Sequence, residues 1–474
     1  MNKKLISLLL VVVMGLSLTA CGNKEIPKDL CGTPNSDIPI VEIEKPDTPV
    51  EIPSEPEVEP VDGPVDEPSV EEPITPVDIS ELDFGDGSFN LRLFSTLLTD
   101  ENIERNLCIS PYSLKEALLL VANGAENDSN SYKELLKFMG EDEDLVTVNS
   151  KERNNYILLS SSDSATLDVA NLVLLDDSLA KSEKIKDNFI KPLEDYYFAD
   201  VVDKDLQDNA IVGYVNNFTN KATKGTIPEM ISEPFSPDAK AVLLNAVYFL
   251  GDWRSPFPAE NTWDREFYGM DESYLASMMS DEKTVAYKET EDYKSIILPY
   301  KSDSNIINSP QFEMVLFIPT DDTKNIFDIF KGLSVEEQDT FFNIDKTDYS
   351  EEDTYILLPK FEISNTFGLT DTVKEMGLAY SVSDGNFDFT NIKDYSKDNI
   401  GFKIGDIIQK TFIKVDEEGT EASAVTMITM LNDLACLVEE KEPKTFYADK
   451  PFMYIIRDNY TNTVLFAGVI SNLK

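Results

Sequence analysis

Residues 410–426, KTFIKVDEEGTEASAVT, constrain this chain more than any other stretch. Thr411, Phe412, Ile413 and Val415 are β-formers. Asp416, Glu417, Glu418 and Gly419 break the run as a turn would. Beyond the break stand Thr420, Ala422, Ser423, Ala424, Val425 and Thr426, where an ordinary loop favours Pro, Asn, Asp and Gly. In an extended chain alternate residues share a face; here these are Thr420, Ala422, Ala424, Thr426 and Ile428. The first four are small or hydroxylated, so burying them meets little steric or desolvation resistance. No proline removes a ladder donor and no charge stands on that face from Thr420 to Thr429, while Glu421 is expected to face solvent. The segment is composed like a strand that is buried later, and the fold must supply a sheet to receive it.

Composition narrows the function. The chain has 474 residues, 42% of them apolar, enough for a substantial core. The formal charge of -47, from 88 acidic and 41 basic residues, argues against nucleic acid, whose phosphates need clusters of Lys and Arg. There is no histidine, which excludes Ser-His and Cys-His catalytic pairs and histidine metal sites. Cys21, Cys31, Cys108 and Cys436 show no CxxC spacing. The expectation is a protein that is not an enzyme and holds no cofactor or metal.

Three regions follow along the chain. Residues 1–20 read as a targeting segment, with Lys3 and Lys4 ahead of an apolar run from Leu5 to Leu18 that is short for a membrane span. Leu18-Thr19-Ala20-Cys21 resembles a bacterial lipobox, which implies lipidation of Cys21 and anchoring at the extracytoplasmic face of the cell membrane. Residues 22–81 hold 12 of the 25 prolines and 17 acidic against 3 basic residues. Such a segment cannot form a core and favours polyproline II, with a reach of at most about 190 Å. With Cys21 it reads as a stalk, 21–81. Residues 82–474 read as one globular domain, helical first and strand-rich later, which suggests an α+β fold. The clearest strands are Val247 to Phe249, Met314 to Ile318, Tyr355 to Leu358, Met453 to Ile456 and Val464 to Phe466.

Several phrases in the domain resemble one family. In NLCISPYSLKEALLLVANGA, Ser110 can cap a helix, Pro111 suits its first position, Leu114, Leu118 and Val121 share a face, and Asn123-Gly124 suits its end. The same phrase resembles the serpin helix beneath the central sheet. Residues 215–227, VNNFTNKATKGTI, match a second serpin pattern through Asn216, Phe218, Thr223, Gly225 and Ile227, departing from it at Thr219, where the family has valine. Residues 243–257, LLNAVYFLGDWRSPF, match a third through Asn245, Trp253 and Phe257. Echoes of the family continue in order at Leu298-Pro299-Tyr300, Leu358-Pro359-Lys360-Phe361, Phe387-Asp388-Phe389-Thr390, Asp449-Lys450-Pro451-Phe452 and Leu465-Phe466-Ala467-Gly468.

The resemblance to serpins implies a definite architecture and mode of action. The fold would have three β-sheets, about eight to nine helices and an exposed reactive-centre loop. Ser110, Ser113, Asn245, Trp253 and Gln409 would fall at the shutter and breach, where the central sheet opens. Glu417, Gly419, Thr420, Ala422, Ser423, Ala424 and Thr426 would form the hinge of the inserting loop. The partner would be a serine or cysteine protease, which cleaves the exposed loop and is held in a covalent complex with a monomeric inhibitor. The alternative is a non-inhibitory relative acting as a stalked binding module. The bait would lie within Met427 to Val438. Family spacing from Glu417 places the scissile bond at Asp433–Leu434, with Met430, Leu431 and Asn432 preceding it. Counting back from Pro451-Phe452 disagrees, because this loop is longer than a common serpin loop. Cys436 reads as a free thiol within it, and a Cys31–Cys436 disulfide would tie the stalk to a loop that must move. Gln409 replaces the histidine that serpins often carry there. Gln donates and accepts hydrogen bonds but does not titrate, so sheet opening is expected to lack the midpoint near pH 6–7 that a histidine could give.

Overall fold

The computed structural model describes residues 84–473 apart from 163, 179–182, 238, 303–308, 384–387, 395–403 and 421–441. The stalk, Cys21, Cys31 and Cys436, the hinge residues Ala422, Ser423, Ala424 and Thr426, and the bait residues Met430, Leu431, Asn432, Asp433 and Leu434 therefore lie outside the described residues.

Helices dominate the first part: α1 Phe89–Leu97, α2 Asp100–Glu104, α3 Pro111–Ala122, α4 Asn130–Met139, α5 Leu145–Leu159, α6 Asp187–Tyr197 and α7 Ala210–Ala222. α8 Ile326–Gly332, α9 Val335–Asp339 and α10 Thr370–Glu375 follow. The described residues thus hold ten helices against the eight or nine expected, because α2, α9 and α10 are single short turns of five or six residues. The strands are β1 Leu107–Ile109, β2 Ala165–Asp176, β3 Asp200–Lys204, β4 Ala241–Asp252, β5 Thr262–Tyr268, β6 Ser273–Glu289, β7 Tyr293–Pro299, β8 Phe312–Pro319, β9 Ser350–Pro359 and β10 Phe361–Gly368. β11 Asp406–Val415, β12 Gly419–Thr420, β13 Lys444–Tyr447, β14 Phe452–Asp458 and β15 Thr463–Ile470 complete them. All five strand segments singled out in the sequence lie inside β4, β8, β9, β14 and β15.

The central sheet runs β10-β11-β12-β4-β2-β3. The other nine strands form one network, β1-β15-β14-β8-β7-β6-β9-β13 with β5 on β6. The third sheet is continuous with the second through β6, a 17-residue strand. Its first half pairs β5 and its last four residues pair β7, while β9 spans the middle.

Period-two alternation explains how the central sheet is covered on both faces. Val173, Leu175, Ala241 and Leu243 join the core beneath, with α3, α4 and α6. Leu172, Leu174, Val242 and Leu244 face the other way, onto Ile211 and Val215 of α7. Thr219, the departure in the α7 phrase, is buried and donates its hydroxyl to the Val215 carbonyl at 3.1 Å. The helix backbone thus satisfies a polar atom at a position where valine has none.

α3 is buried on eleven of its twelve residues. Ser110 caps it by accepting the Ser113 N–H at 3.2 Å, and Pro111 opens it. Its end differs from the expectation. Asn123 is right-handed and Gly124 has no positive φ. Gly124 is required by close approach instead, since a Cβ there would lie 2.7 Å from the Ile392 side chain.

Candidate functional site: the opening in the central sheet

β4 and β11 run parallel and pair from Asp406↔Val242 to Thr411↔Val247. Above that point they diverge, and residues 412–414 do not pair with 248–250. The chain instead turns at Asp416–Gly419, where the Asp416 N–H reaches the Gly419 carbonyl at 2.9 Å and the Asp416 carboxylate accepts the Glu418 N–H at 3.0 Å. β12 then re-enters between the two strands, antiparallel to both, through Val415↔Thr420, Gly419↔Asp252 and Thr420↔Gly251. The result is a wedge in the sheet, held apart at its head by Gly419, the last residue of the turn, and Thr420, the first of the segment that the sequence marks for burial. Gly419 is dictated by contact: a Cβ there would overlap the Gly251 carbonyl oxygen. The sequence reading began the inserting segment at Thr420, but the structure has Gly419 already in the ladder.

Aromatic residues hold the head of the wedge. Trp253, 1% exposed, stacks on Tyr300 with ring centroids 4.5 Å apart and planes 11° apart. Its indole N–H donates to the Asp416 carbonyl at 3.0 Å and its backbone N–H to Glu418 at 2.7 Å. The Tyr300 hydroxyl meets the Thr420 hydroxyl at 2.6 Å. Thr420 therefore faces the core, as the alternation requires.

Glu417 points outward. It pairs with Lys360 at 2.7 Å and accepts the Thr262 hydroxyl at 2.9 Å. Burial opposes its ionisation, but Lys360, a backbone N–H and Thr262 outweigh it and hold the carboxyl below its ordinary range. A depressed carboxyl stabilises the fold near neutrality, and that stability is lost as pH falls through the lowered value. Glu417→Gln should therefore lower stability by about 1 kcal/mol at neutral pH, discounted for the exposed Lys360. In thermal melts the difference from wild type should vanish on acidification, and a pH-independent difference would assign Glu417 a packing role alone.

Below the wedge a polar row crosses the sheet. Gln409 is level with Asn245 across β11 and β4, and Asn245 with Asn171 across β4 and β2. Gln409 Oε1 accepts the Ser110 N–H at 2.9 Å, and its Nε2 donates to the Ser110 carbonyl at 2.8 Å and to Ser113 Oγ at 3.0 Å. Ser113 Oγ donates to Asn245 Oδ1. Asn245 Nδ2 donates to Asn171 Oδ1 at 2.6 Å, and Asn171 Nδ2 to the Tyr197 carbonyl at 3.2 Å. One directed chain thus ties β11 through α3 to β4, β2 and α6, with its four polar side chains, Gln409, Ser113, Asn245 and Asn171, all buried. Burial strengthens such a chain when it is complete and makes any gap in it costly. It spans the β4–β11 seam, which must part if a strand enters.

The structure brings Ser110, Ser113, Asn245 and Gln409 together and sets Trp253, Glu417, Gly419 and Thr420 above them. Asn171 was missed by the sequence reading; its only signal is a lone amide inside the apolar run Val169–Leu175. Tyr300 and Lys360 were noted only as parts of short phrases. Their contacts with Thr420 and Glu417 are separated by 120 and 57 positions, which no local pattern reveals. Cys108 is buried beside this region; burial pushes its thiol up to about 11 against hydrogen bonds from Tyr454 and Thr411, so it is not a reactive thiolate. Among the described residues no group of side chains has metal-ligating geometry.

The site is thus a sheet parted at one end beneath a returning turn, with a buried polar row across the paired strands below. Residues 85–473 match the model of the family described as serpin (serine protease inhibitor). The chain belongs to the serpin family. It is 30% identical over 395 residues to a leukocyte elastase inhibitor of Xenopus tropicalis, covering 81% of this chain and 97% of that one. It is 27% identical over 401 residues to an uncharacterized serpin-like protein of Thermococcus kodakarensis, covering 82% and 84%. Among solved structures, the Arabidopsis serpin in its native stressed conformation matches with a TM-score of 0.69 at 25% identity, over 81% of this chain and 96% of that one.

Proposed function

We propose that this protein is a surface-anchored suicide inhibitor of serine or cysteine endopeptidases. The observation that carries the reading is the wedge with Gly419–Thr420 paired at its head. Cleavage of the loop beyond Thr420 frees that strand to continue downward. Entry exchanges one parallel ladder, Asp406–Thr411 against Val242–Val247, for two antiparallel ones, which are slightly more stable per residue. The attached acyl-enzyme is carried with the strand and distorted, so deacylation stalls. The small residues from Ala422 to Thr426 suit that path, and the similarity to an elastase inhibitor along most of both chains supports it.

The test is a panel of serine and cysteine proteases. At least one is expected to form an SDS-stable complex, and mass measurement of the released C-terminal fragment then locates the scissile bond. The loop-cleaved protein is expected to melt well above the intact one. Clean cleavage by every protease, with no gain in heat stability, would instead favour a stalked binding module.

Anchoring belongs to the same proposal. A lipid on Cys21 and an extended acidic stalk would hold the inhibitor at the outer face of the membrane. Two or more acyl chains give stable attachment. Cys21→Ser should move the protein from the membrane fraction to the soluble one, and unchanged fractionation would remove the lipid from the reading.

A further inference from the structure

Trp263 on β5 is 58% exposed and Tyr447 on β13 is 40% exposed, although side chains of this size are ordinarily well covered. Strand register places them on one face. Trp263 is level with Met278 of β6, and residues an even number apart on a strand share a side, so Glu282 joins them. Glu282 is level with Tyr355 of β9, whose ring meets that of Tyr447 edge-on at 6.1 Å. Asp353 stands two residues before Tyr355 and accepts the Thr284 hydroxyl at 2.6 Å. Glu282 and Asp353 are both exposed, and neither is ion-paired among the described residues. Lys283, next to Glu282, turns to the opposite side and donates to the Pro256 carbonyl at 2.8 Å. Arg265, the cation on the shared side, stands on the edge strand β5, the farthest from β13. The face lies between the two places where the bait segment joins the fold. Thr262, the neighbour of Trp263, holds Glu417 of the departing turn, and β13 begins at Lys444, just after the bait segment ends.

We propose that this aromatic and acidic face is a docking surface for the attacking endopeptidase, and that it selects one that is basic around its cleft. A protease that grips the loop is held over β5, β6, β9 and β13, roughly 14 Å across. A Lys or Arg from it can stack on Trp263 or Tyr447 while pairing with Glu282 or Asp353. Trp and Tyr are the side chains that most often anchor an interface. The formal charge of -47 adds attraction for a basic partner at longer range. A second copy of this chain is a poor occupant, since a two-fold contact would set two acidic faces together.

This inference rests on the reading of the loop as protease bait, but its test does not need trapping. Second-order rates of attack on the loop, counting cleavage and trapping together, are measured for a basic and an acidic member of the protease panel at about 0.05 M and about 0.5 M salt. Glu282→Lys combined with Asp353→Lys should slow the basic protease by at least about tenfold at the lower salt and by much less at the higher, and should not slow the acidic one. Trp263→Ser should slow the basic protease by at least about threefold at both salts, because contact with a ring is little screened. The fraction of attacks that ends in a complex should not move, since neither change touches the wedge. A matched reversal on the exposed sides of α9 and α10, Glu336→Lys with Glu375→Lys, should leave every rate within about twofold.

Equal slowing by the two reversals would reduce the effect to net charge and overturn the docking face, as would wild-type rates in the substituted proteins. A dimer of the intact protein that Trp263→Ser dissolves would overturn it too, assigning the face to a second copy. Tyr447→Ser, at the other exposed ring, repeats the measurement should Trp263→Ser fail to fold. Failure of the inhibitory reading is seen separately, as clean cleavage without complexes, and the comparison of rates still decides the docking face.

Discussion

On the inhibitory reading proposed above, Thr420→Arg is expected to turn the protein from an inhibitor into a substrate. Thr420 is fully buried between β11 and β4, its hydroxyl on that of Tyr300. An arginine there would bury a charge beside the stacked rings of Tyr300 and Trp253, at a cost of several kcal/mol. The native domain escapes this cost by expelling Gly419–Thr420 from the head of the wedge. Insertion cannot escape it, because every inserted state passes this residue into the sheet. The loop should therefore be cut at its usual rate, SDS-stable complexes should fall by at least about tenfold, and the cleaved form should gain little heat stability. Thr420→Val isolates the hydroxyl. It keeps the volume and strands the Tyr300 oxygen, so a loss of about 1–3 kcal/mol with insertion retained is expected. Wild-type yields of complex from Thr420→Arg would show that the strand does not enter through this wedge.

The second large effect is expected at Gln409. Gln409→Leu removes three hydrogen bonds and strands the Ser110 N–H at the buried start of α3, while the Ser110 carbonyl keeps the Leu114 N–H. At about 1–3 kcal/mol for the stranded N–H and about 1 kcal/mol for each of the other two lost bonds, the native state should lose roughly 3–5 kcal/mol. The melting midpoint should fall by roughly 5–10 °C. The loss falls on the seam itself, so the intact protein should also convert faster to a form with its loop withdrawn, measurable as loss of loop cleavage with time. Gln409→His tests the role of the amide directly. A neutral imidazole can donate and accept, so stability should approach wild type at alkaline pH. Protonation removes the acceptor that Ser110 N–H requires, so stability should fall on acidification through the histidine range. A Gln409→Leu protein as stable as wild type would mean that the polar row does not hold the seam.

Much of the fold was legible because its signals are local. Ser110-Pro111 starts α3 through capping geometry that depends on four consecutive residues. Asp416–Gly419 reads as a turn because acidic residues and glycine interrupt a β-rich run, and the chain does turn there. The apolar runs of β4, β8, β14 and β15 mark strands covered on both faces. The end of α3 misled because glycine at a helix end usually serves a left-handed turn. Here Gly124 makes room for Ile392, 268 positions away, and only packing can show that.

The sequence by itself determined that a strand, a charged turn and a small-residue segment follow one another, and that the domain carries the phrases of a serpin. These are properties of neighbouring residues. It also determined that no histidine takes part, since composition alone decides that. Only the tertiary structure decided that β11 and β4 part above Thr411, that Gly419–Thr420 already occupy the gap, and that Asn171, Tyr300 and Lys360 belong to the site. Strand register and the meeting of α3 with three strands set those contacts, and they join residues dozens to hundreds of positions apart. Glu116 shows the difference most plainly. In the sequence it is one acid on a helix; in the fold it is 3% exposed, with its Oε1 lacking a hydrogen-bond partner among the described residues.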